Sequence, residues 1–279
     1  MPTILFATIT SVFFGFSDFL GGFASRRDSA IAVTANAHLL GAAVFAVAVF
    51  VFPAPYATRD IVAGIAAGVA GGVGVTALYA ALAVGRMSIV APITAALSGG
   101  LPALYDLLRG TRVGPFGIAG LAIALVAIVI VSMGGHADDR ADMPPRAVLL
   151  SLLAGVGFSG AFLSFSFAGT TSGLVPLLAA RLTSALALVA ITLVTTRRLA
   201  LVREARPMAY GAGALDTAAN VTMLAAIRIG PLAVASVLGS LYPVATILLA
   251  RGVLGERLRG VQRAGVALAL VAVVLTAVR

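Results

Sequence analysis

Gly85, Gly110 and Gly120 recur as Gly230, Gly255 and Gly265, each pair 145 residues apart in a chain of 279. Around the last pair the match lengthens. Ala119–Gly120–x–Ala122–x–Ala124–Leu125–Val126–Ala127 returns as Ala264–Gly265–x–Ala267–x–Ala269–Leu270–Val271–Ala272. The chain therefore reads as two copies of one unit, and each copy is almost entirely apolar. With 61% hydrophobic and 10% charged residues, a water-soluble domain of this length is excluded.

A membrane-spanning helix needs about 20 apolar residues, and charge, Pro and Gly mark the loops between spans. Ten spans follow: roughly 3–24, 29–52, 61–84, 87–107 and 115–134, then 147–168, 172–195, 207–227, 230–250 and 260–278. The apolar run Pro2–Ala24 has no basic segment before it and outruns the hydrophobic core of a cleaved leader, so it counts as span 1. The polar stretch Gly135–Pro145 divides the copies into residues 1–134 and 146–279. Five spans is an odd number, so the second copy enters the bilayer in the opposite sense to the first. The expected fold is all-α: ten transmembrane helices built as two inverted five-helix repeats.

All nineteen basic residues are arginines. Thirteen of them fall in the loops after spans 1, 3, 5, 7 and 9, and five on the other side, which by the positive-inside rule puts both termini outside. This charge reads as orientation and not as a nucleic-acid surface. The chain has no cysteine and two histidines, which removes disulfides, thiol chemistry and most metal sites, so no cofactor and no metal is expected. The setting is a bacterial plasma membrane crossed many times, with the lipid bilayer as a partner.

The stretch Ser240–Leu241–Tyr242–Pro243–Val244, then Leu254–Gly255–Glu256–Arg257–Leu258 and Gly265–Val266–Ala267–Leu268, resembles the signature of the EamA-type drug/metabolite transporters. Gly15–Phe16–Ser17–Asp18–Phe19–Leu20–Gly21–Gly22 and Tyr79–Ala80–Ala81–Leu82–Ala83–Val84–Gly85 look like the matching stretches of that family. The resemblance covers essentially the whole chain and implies a transporter of small metabolites or toxic compounds. It also implies cytoplasmic termini, against the arginine count. In the first copy Gly110–Thr111–Arg112 stands where Gly255–Glu256–Arg257 stands in the second, so the acidic residue is missing there.

Ionisable groups in a span cost about 2.5–3.5 kcal/mol at mid-membrane, and each asks for a reason. Asp18, His38, Arg181 and Asp216 fall inside spans, with Asn36 and Asn220 beside them. Asn36 and Arg181 are related by the 145-residue shift, which makes them equivalent in spans 2 and 7. Asp216 and Asn220, four apart, share a helix face. One reading makes this a binding cluster between the halves: Arg181 takes a carboxylate, while Asp18 or Asp216 faces an ammonium group or accepts a coupling proton. The other makes Asp18 or Asp216 simply the counter-ion that neutralises Arg181 and pins the helices.

Asp18, beside Gly21–Gly22, reads as lying nearer the water interface. His38 fits an interhelical hydrogen bond better than a proton carrier. Tyr79, Tyr242 and Phe13, Phe14, Phe16, Phe158, Phe162 and Phe165 are either cavity lining or packing. Gly64, Gly68 and Gly72 mark a close helix contact, and Pro92, Pro102, Pro176 and Pro243 are read as kinks within spans. Glu256 reads as a helix cap.

These residues point to a secondary transporter, an exporter of small metabolites such as amino acids, working by alternating access. No GxxxxGK[ST] is present, so the driving force expected is a proton gradient or exchange, not ATP. Helices 5 and 10, free of ionisable residues in their cores, suit lipid or a homodimer contact. An intramembrane enzyme is the alternative, on the weak motif of Tyr105–Asp106 with Gly213–Ala214–Leu215–Asp216; a channel or structural membrane protein is another.

Overall fold

The computed structural model describes residues 2–85, 87–132, 144–254 and 260–277. Its elements are α1 (Pro2–Ser25), α2 (Ala30–Val51), α3 (Thr58–Val84), α4 (Met87–Leu108), α5 (Pro115–Ser132), α6 (Pro145–Ser166), α7 (Val175–Thr195), α8 (Arg206–Ile229), α9 (Leu232–Gly239), α10 (Tyr242–Leu254) and α11 (Gly260–Ala277). No strand occurs among the described residues. Backbone polar groups in lipid must be satisfied within their own segment, so a helical chain is what this composition requires.

By length and composition α1, α2, α3, α6 and α7 are each able to cross a membrane. Shorter apolar helices run over Pro115–Ile130, Leu232–Thr246 and Arg263–Leu275. The protein is thus an all-α, multi-pass membrane protein. α8 is the least apolar of the helices, because Asp216, Thr217, Asn220 and Thr222 lie along it.

Helix ends follow local chemistry. Proline sits in the first turn of α6, α7 and α8 (Pro145, Pro176, Pro207), where its missing N–H leaves nothing unpaired. Gly110 follows α4 at φ +86°, a left-handed conformation that ends the helix at little cost to glycine. Asp106, near the end of α4, accepts the backbone N–H of Ala233 at 2.8 Å and so caps the start of α9.

The halves of the chain interdigitate. The most extensive helix pairings are α3 with α6, α1 with α8, and α5 with α11, followed by α3 with α7, α4 with α6, and α2 with α7. Each of these joins a helix from residues 2–132 to one from residues 145–277. Small residues permit the approach. A Cβ on Gly64 would stand 2.5 Å from the Pro176 carbonyl oxygen, Gly68 lies against the backbone of Ala180, and Gly72 faces Ser184. Gly64, Gly68 and Gly72 are thus the seam between α3 and α7, as their spacing anticipates.

Two expectations are corrected. Span 9 is not continuous: it breaks at Ser240–Leu241 into α9 and α10. Pro243 and Pro176 are second residues of α10 and α7, so they begin helices and do not kink them; only Pro92 and Pro102 lie inside one, α4. Glu256 and most of the linker 135–145 fall outside the described residues.

Candidate functional site

Arg181 lies six residues into α7, and only 7% of it is exposed. Its Nη2 donates to Oδ2 of Asp216 on α8, forming an ion pair of two buried side chains. Its Nη1 donates to Nε2 of His38 on α2 at 2.8 Å. A guanidinium has donors only, so Nε2 of His38 accepts and the imidazole proton sits on Nδ1. That Nδ1 lies 2.8 Å from Ser184 Oγ, and Ser184 in turn donates to the Ala180 carbonyl at 2.9 Å. Nδ2 of Asn220, one turn along α8, reaches the Asp216 carbonyl at 2.7 Å and Oδ1 at 3.3 Å. Three helices are thereby joined through one polar chain, and Arg181 meets an anion and a neutral acceptor together.

A cavity of about 420 Å³ adjoins this network, lined by His38, Arg181, Ser184, Asp216 and Asn220 on one side and Gly68, Gly71 and Gly72 on another. Phe14, Phe158 and Phe162 also line it. The same three phenylalanines, with Asp18 and Tyr242, line a second cavity of about 200 Å³. The Phe14 ring stands 6.4 Å from Phe158, 6.3 Å from Phe162 and 6.5 Å from Tyr242, the last edge-on. Asp18, 5% exposed, makes no hydrogen bond or ion pair among the described residues. It is therefore a buried carboxylate without a partner, and not a group at the water interface.

The structure gathers His38, Arg181, Asp216 and Asn220 around the larger cavity, and Asp18 with Tyr242 around the smaller. It leaves out Asn36 and Tyr79. Asn36 donates to the Leu199 carbonyl at 3.0 Å, in the loop between α7 and α8, and accepts from Tyr210 at 3.5 Å. Its amide meets that loop and the first turns of α8, whereas the long Arg181 side chain reaches Asp216 farther along α8, so the 145-residue equivalence does not extend to their surroundings. The Tyr79 hydroxyl lies 3.4 Å from Ser17 Oγ, its ring packed against Gly21 of α1. Asp106 caps α9 and Asp216 pairs with Arg181, so the two do not form the carboxylate pair an aspartyl enzyme needs.

Residues that sequence reasoning passed over close the two ends. Asp28, between α1 and α2, accepts the backbone N–H of Val202 at 2.8 Å, in the loop between α7 and α8. Beyond the other end of α2, Asp60 accepts the N–H of Gly169 at 2.5 Å, in the loop between α6 and α7, and that of Ala57 at 2.7 Å. Arg228 fastens the same α6–α7 loop, donating to the Gly173 carbonyl at 2.7 Å and to Ser172 Oγ at 2.8 Å. The α6–α7 and α7–α8 loops of the second half are therefore each held by a carboxylate of the first.

Residues 145–278, the second half of the chain, match the model of the EamA-like transporter family. A solved structure described only as a crystal structure of protein shares the fold, with a TM-score of 0.71 at 19% identity. The likeness covers 96% of this chain and 94% of the other. No curated protein matches.

Proposed function

We propose that this chain, which belongs to the EamA-like transporter family of the drug/metabolite transporter superfamily, is a secondary exporter of small amine-bearing metabolites, amino acids among them. The observation that carries the reading is the buried Arg181–Asp216 pair at the edge of a cavity that both halves of the chain line. A substrate carboxylate competes with Asp216 for Arg181. Once displaced, Asp216 is a charge in an apolar surrounding, relieved by taking up a proton. This exchange supplies a route for proton coupling; plain substrate exchange is the other driving force.

Ten spans in two inverted repeats, residues 1–134 and 146–279, are part of the same proposal. The helix pairings favour it. Under the 145-residue shift the α1–α8 contact becomes the α6–α3 contact, and the α2–α7 and α5–α11 contacts map onto themselves. Repeats related in this way rock against each other about a site between them. The Asp28 and Asp60 bonds, at opposite ends of α2, then act as two gates, one broken at a time. The outward faces of α5 and α11, with Phe116, Val126, Val261 and Leu270 exposed, are available to lipid or to a second copy.

Counterflow in liposomes tests the reading. Labelled amino acids exchange across vesicles holding the wild-type chain, and Asp216→Asn and Arg181→Gln abolish the exchange. Equal counterflow in wild type and both variants overturns the proposed site.

A further inference from the structure

We infer that the arginines gathered around the Asp28 contact form a binding site for the head group of an anionic phospholipid, held across segments from both halves of the chain. The site is separate from the buried cluster and stands whether or not that cluster carries substrate.

Arg26 and Arg27 follow α1, Arg197, Arg198 and Arg203 lie between α7 and α8, and Arg206 opens α8. Hydrogen bonds bring the two segments together. Asp28 accepts the Val202 N–H at 2.8 Å, Arg198 Nη2 stands 3.4 Å from the same carboxylate, and Arg27 Nη1 is 3.4 Å from the Glu204 carbonyl oxygen. Against these six arginines the two segments carry two acids, Asp28 and Glu204. The Asp28 side chain is 4% exposed and turned to the N–H groups of Ser29 and Val202, so it screens little of the surface. All six arginines are exposed. Charge of one sign gathered in this way repels itself and attracts an anion.

Three features mark the patch as more than a solvated rim. Arg197 follows the Thr196 cap of α7 at φ +56°, a left-handed position where helix ends favour glycine. Ending the helix needs no arginine there, so the side chain serves something else. The Phe23 ring lies 5.9 Å from the Arg26 guanidinium carbon and 5.4 Å from that of Arg27, which orients both groups before a ligand arrives. On the lipid-facing side, Leu186, Leu193 and Val194 of α7 are exposed, Val194 by 80%, and lead along the helix to Arg197. An acyl chain covers that apolar stripe while its phosphate meets the arginines, a match of head and tail that a free phosphate lacks. Guanidinium groups hold phosphate oxygens through paired N–H donors, and basic clusters beside spanning helices draw anionic lipid.

Native mass spectra of the purified full-length chain test this, taken from micelles holding equal amounts of phosphatidylglycerol and phosphatidylcholine with the same acyl chains. Phosphatidylglycerol adducts exceed phosphatidylcholine adducts about tenfold or more. Arg197→Gln, Arg198→Gln and Arg203→Gln combined in one variant lose that preference. Arg59→Gln, Arg109→Gln and Arg112→Gln combined, with the same net charge but placed at the start of α3 and after α4, keep it. Arg197→Gly separates charge from helix end: its unfolding midpoint equals or exceeds that of the wild type, while phosphatidylglycerol retention falls severalfold. Size-exclusion elution confirms that each variant is folded; if the first triple variant does not fold, Arg197→Gly decides. Inorganic phosphate in excess leaves the lipid bound. Equal retention of the two lipids, an unchanged preference in the first triple variant, equal loss in both triple variants, wild-type retention in Arg197→Gly, or displacement by inorganic phosphate overturns the inference. None of these readouts involves transport, so their failure leaves the transporter reading standing.

Discussion

Arg181 and Asp216 neutralise each other inside the protein, each less than a tenth exposed, and a hydrogen bond from Arg181 to His38 fixes the direction of the pair. Removing one partner of such a pair strands the other, at about 3–5 kcal/mol, whereas removing both leaves two polar groups of similar shape. Arg181→Gln and Asp216→Asn each lower the thermal unfolding midpoint in detergent. The double variant recovers most of the loss, and a double-mutant cycle reads the coupling directly. Additive losses contradict a mutually dependent pair.

His38 holds its proton on Nδ1, because Nε2 accepts from Arg181. The ¹⁵N chemical shifts of His38 show an unprotonated Nε2 and a protonated Nδ1. Arg181→Gln offers a weaker donor and shifts Nε2, while Ser184→Ala perturbs Nδ1 instead. The reverse assignment would contradict the hydrogen-bond chain.

In the proposed cycle the two carboxylate bonds at opposite ends of α2 hold opposite sides shut. The chain lacks cysteine, so a single introduced thiol reports access without background. Gly71 suits it: it lines the larger cavity, and a Cβ there meets nothing nearer than 3.5 Å. In Gly71→Cys proteoliposomes, Asp28→Ala raises labelling by a membrane-impermeant maleimide severalfold from one face, and Asp60→Ala from the other. Labelling from the same face in both variants contradicts two gates.

Gly68 and Gly71 separate packing from cavity. A methyl group at Gly68 collides with the Ala180 backbone, while at Gly71 it meets a single methyl at van der Waals distance. Gly68→Ala therefore costs about 1–3 kcal/mol through displaced helices. Gly71→Ala is neutral or slightly stabilising, since alanine favours helix over glycine by up to about 1 kcal/mol. Unfolding midpoints of the two variants, measured side by side, check the order.

What the sequence made legible is what depends on burial energy. Hydropathy places most of the helices, and the cost of charge in lipid marks Arg181 as needing an acid, Asp18 or Asp216, before any coordinates; the structure pairs it with Asp216. What it hides depends on direction and reach. Asn36 and Arg181 share a position in the repeat, yet the short amide meets the α7–α8 loop and Tyr210 near the start of α8, while the longer Arg181 reaches Asp216 farther along that helix. Pro243 reads as a kink in one long helix because the apolar run 230–250 passes through it, whereas the helix breaks just before it, at Ser240 and Leu241. Asp28 and Asp60 resemble ordinary loop charges, since the groups they hold are backbone amides, which no residue type announces. Ser184 was open to inference: a hydroxyl one turn from Arg181 is well placed for its network.

The amide character of those contacts bears on how such a protein can change. The closures ask the second half for an N–H at positions 169 and 202, and nearly every amino acid supplies one. Position 202 is therefore free to drift in side chain while the contact it makes persists. Proline is barred at both positions by the loss of its hydrogen, and position 169 favours glycine besides, since a Cβ there would stand 3.1 Å from Asp60 Oδ1. The burden of identity falls on Asp28 and Asp60, so a record of substitutions would be lopsided, with a permissive position in one half and fixed acids in the other.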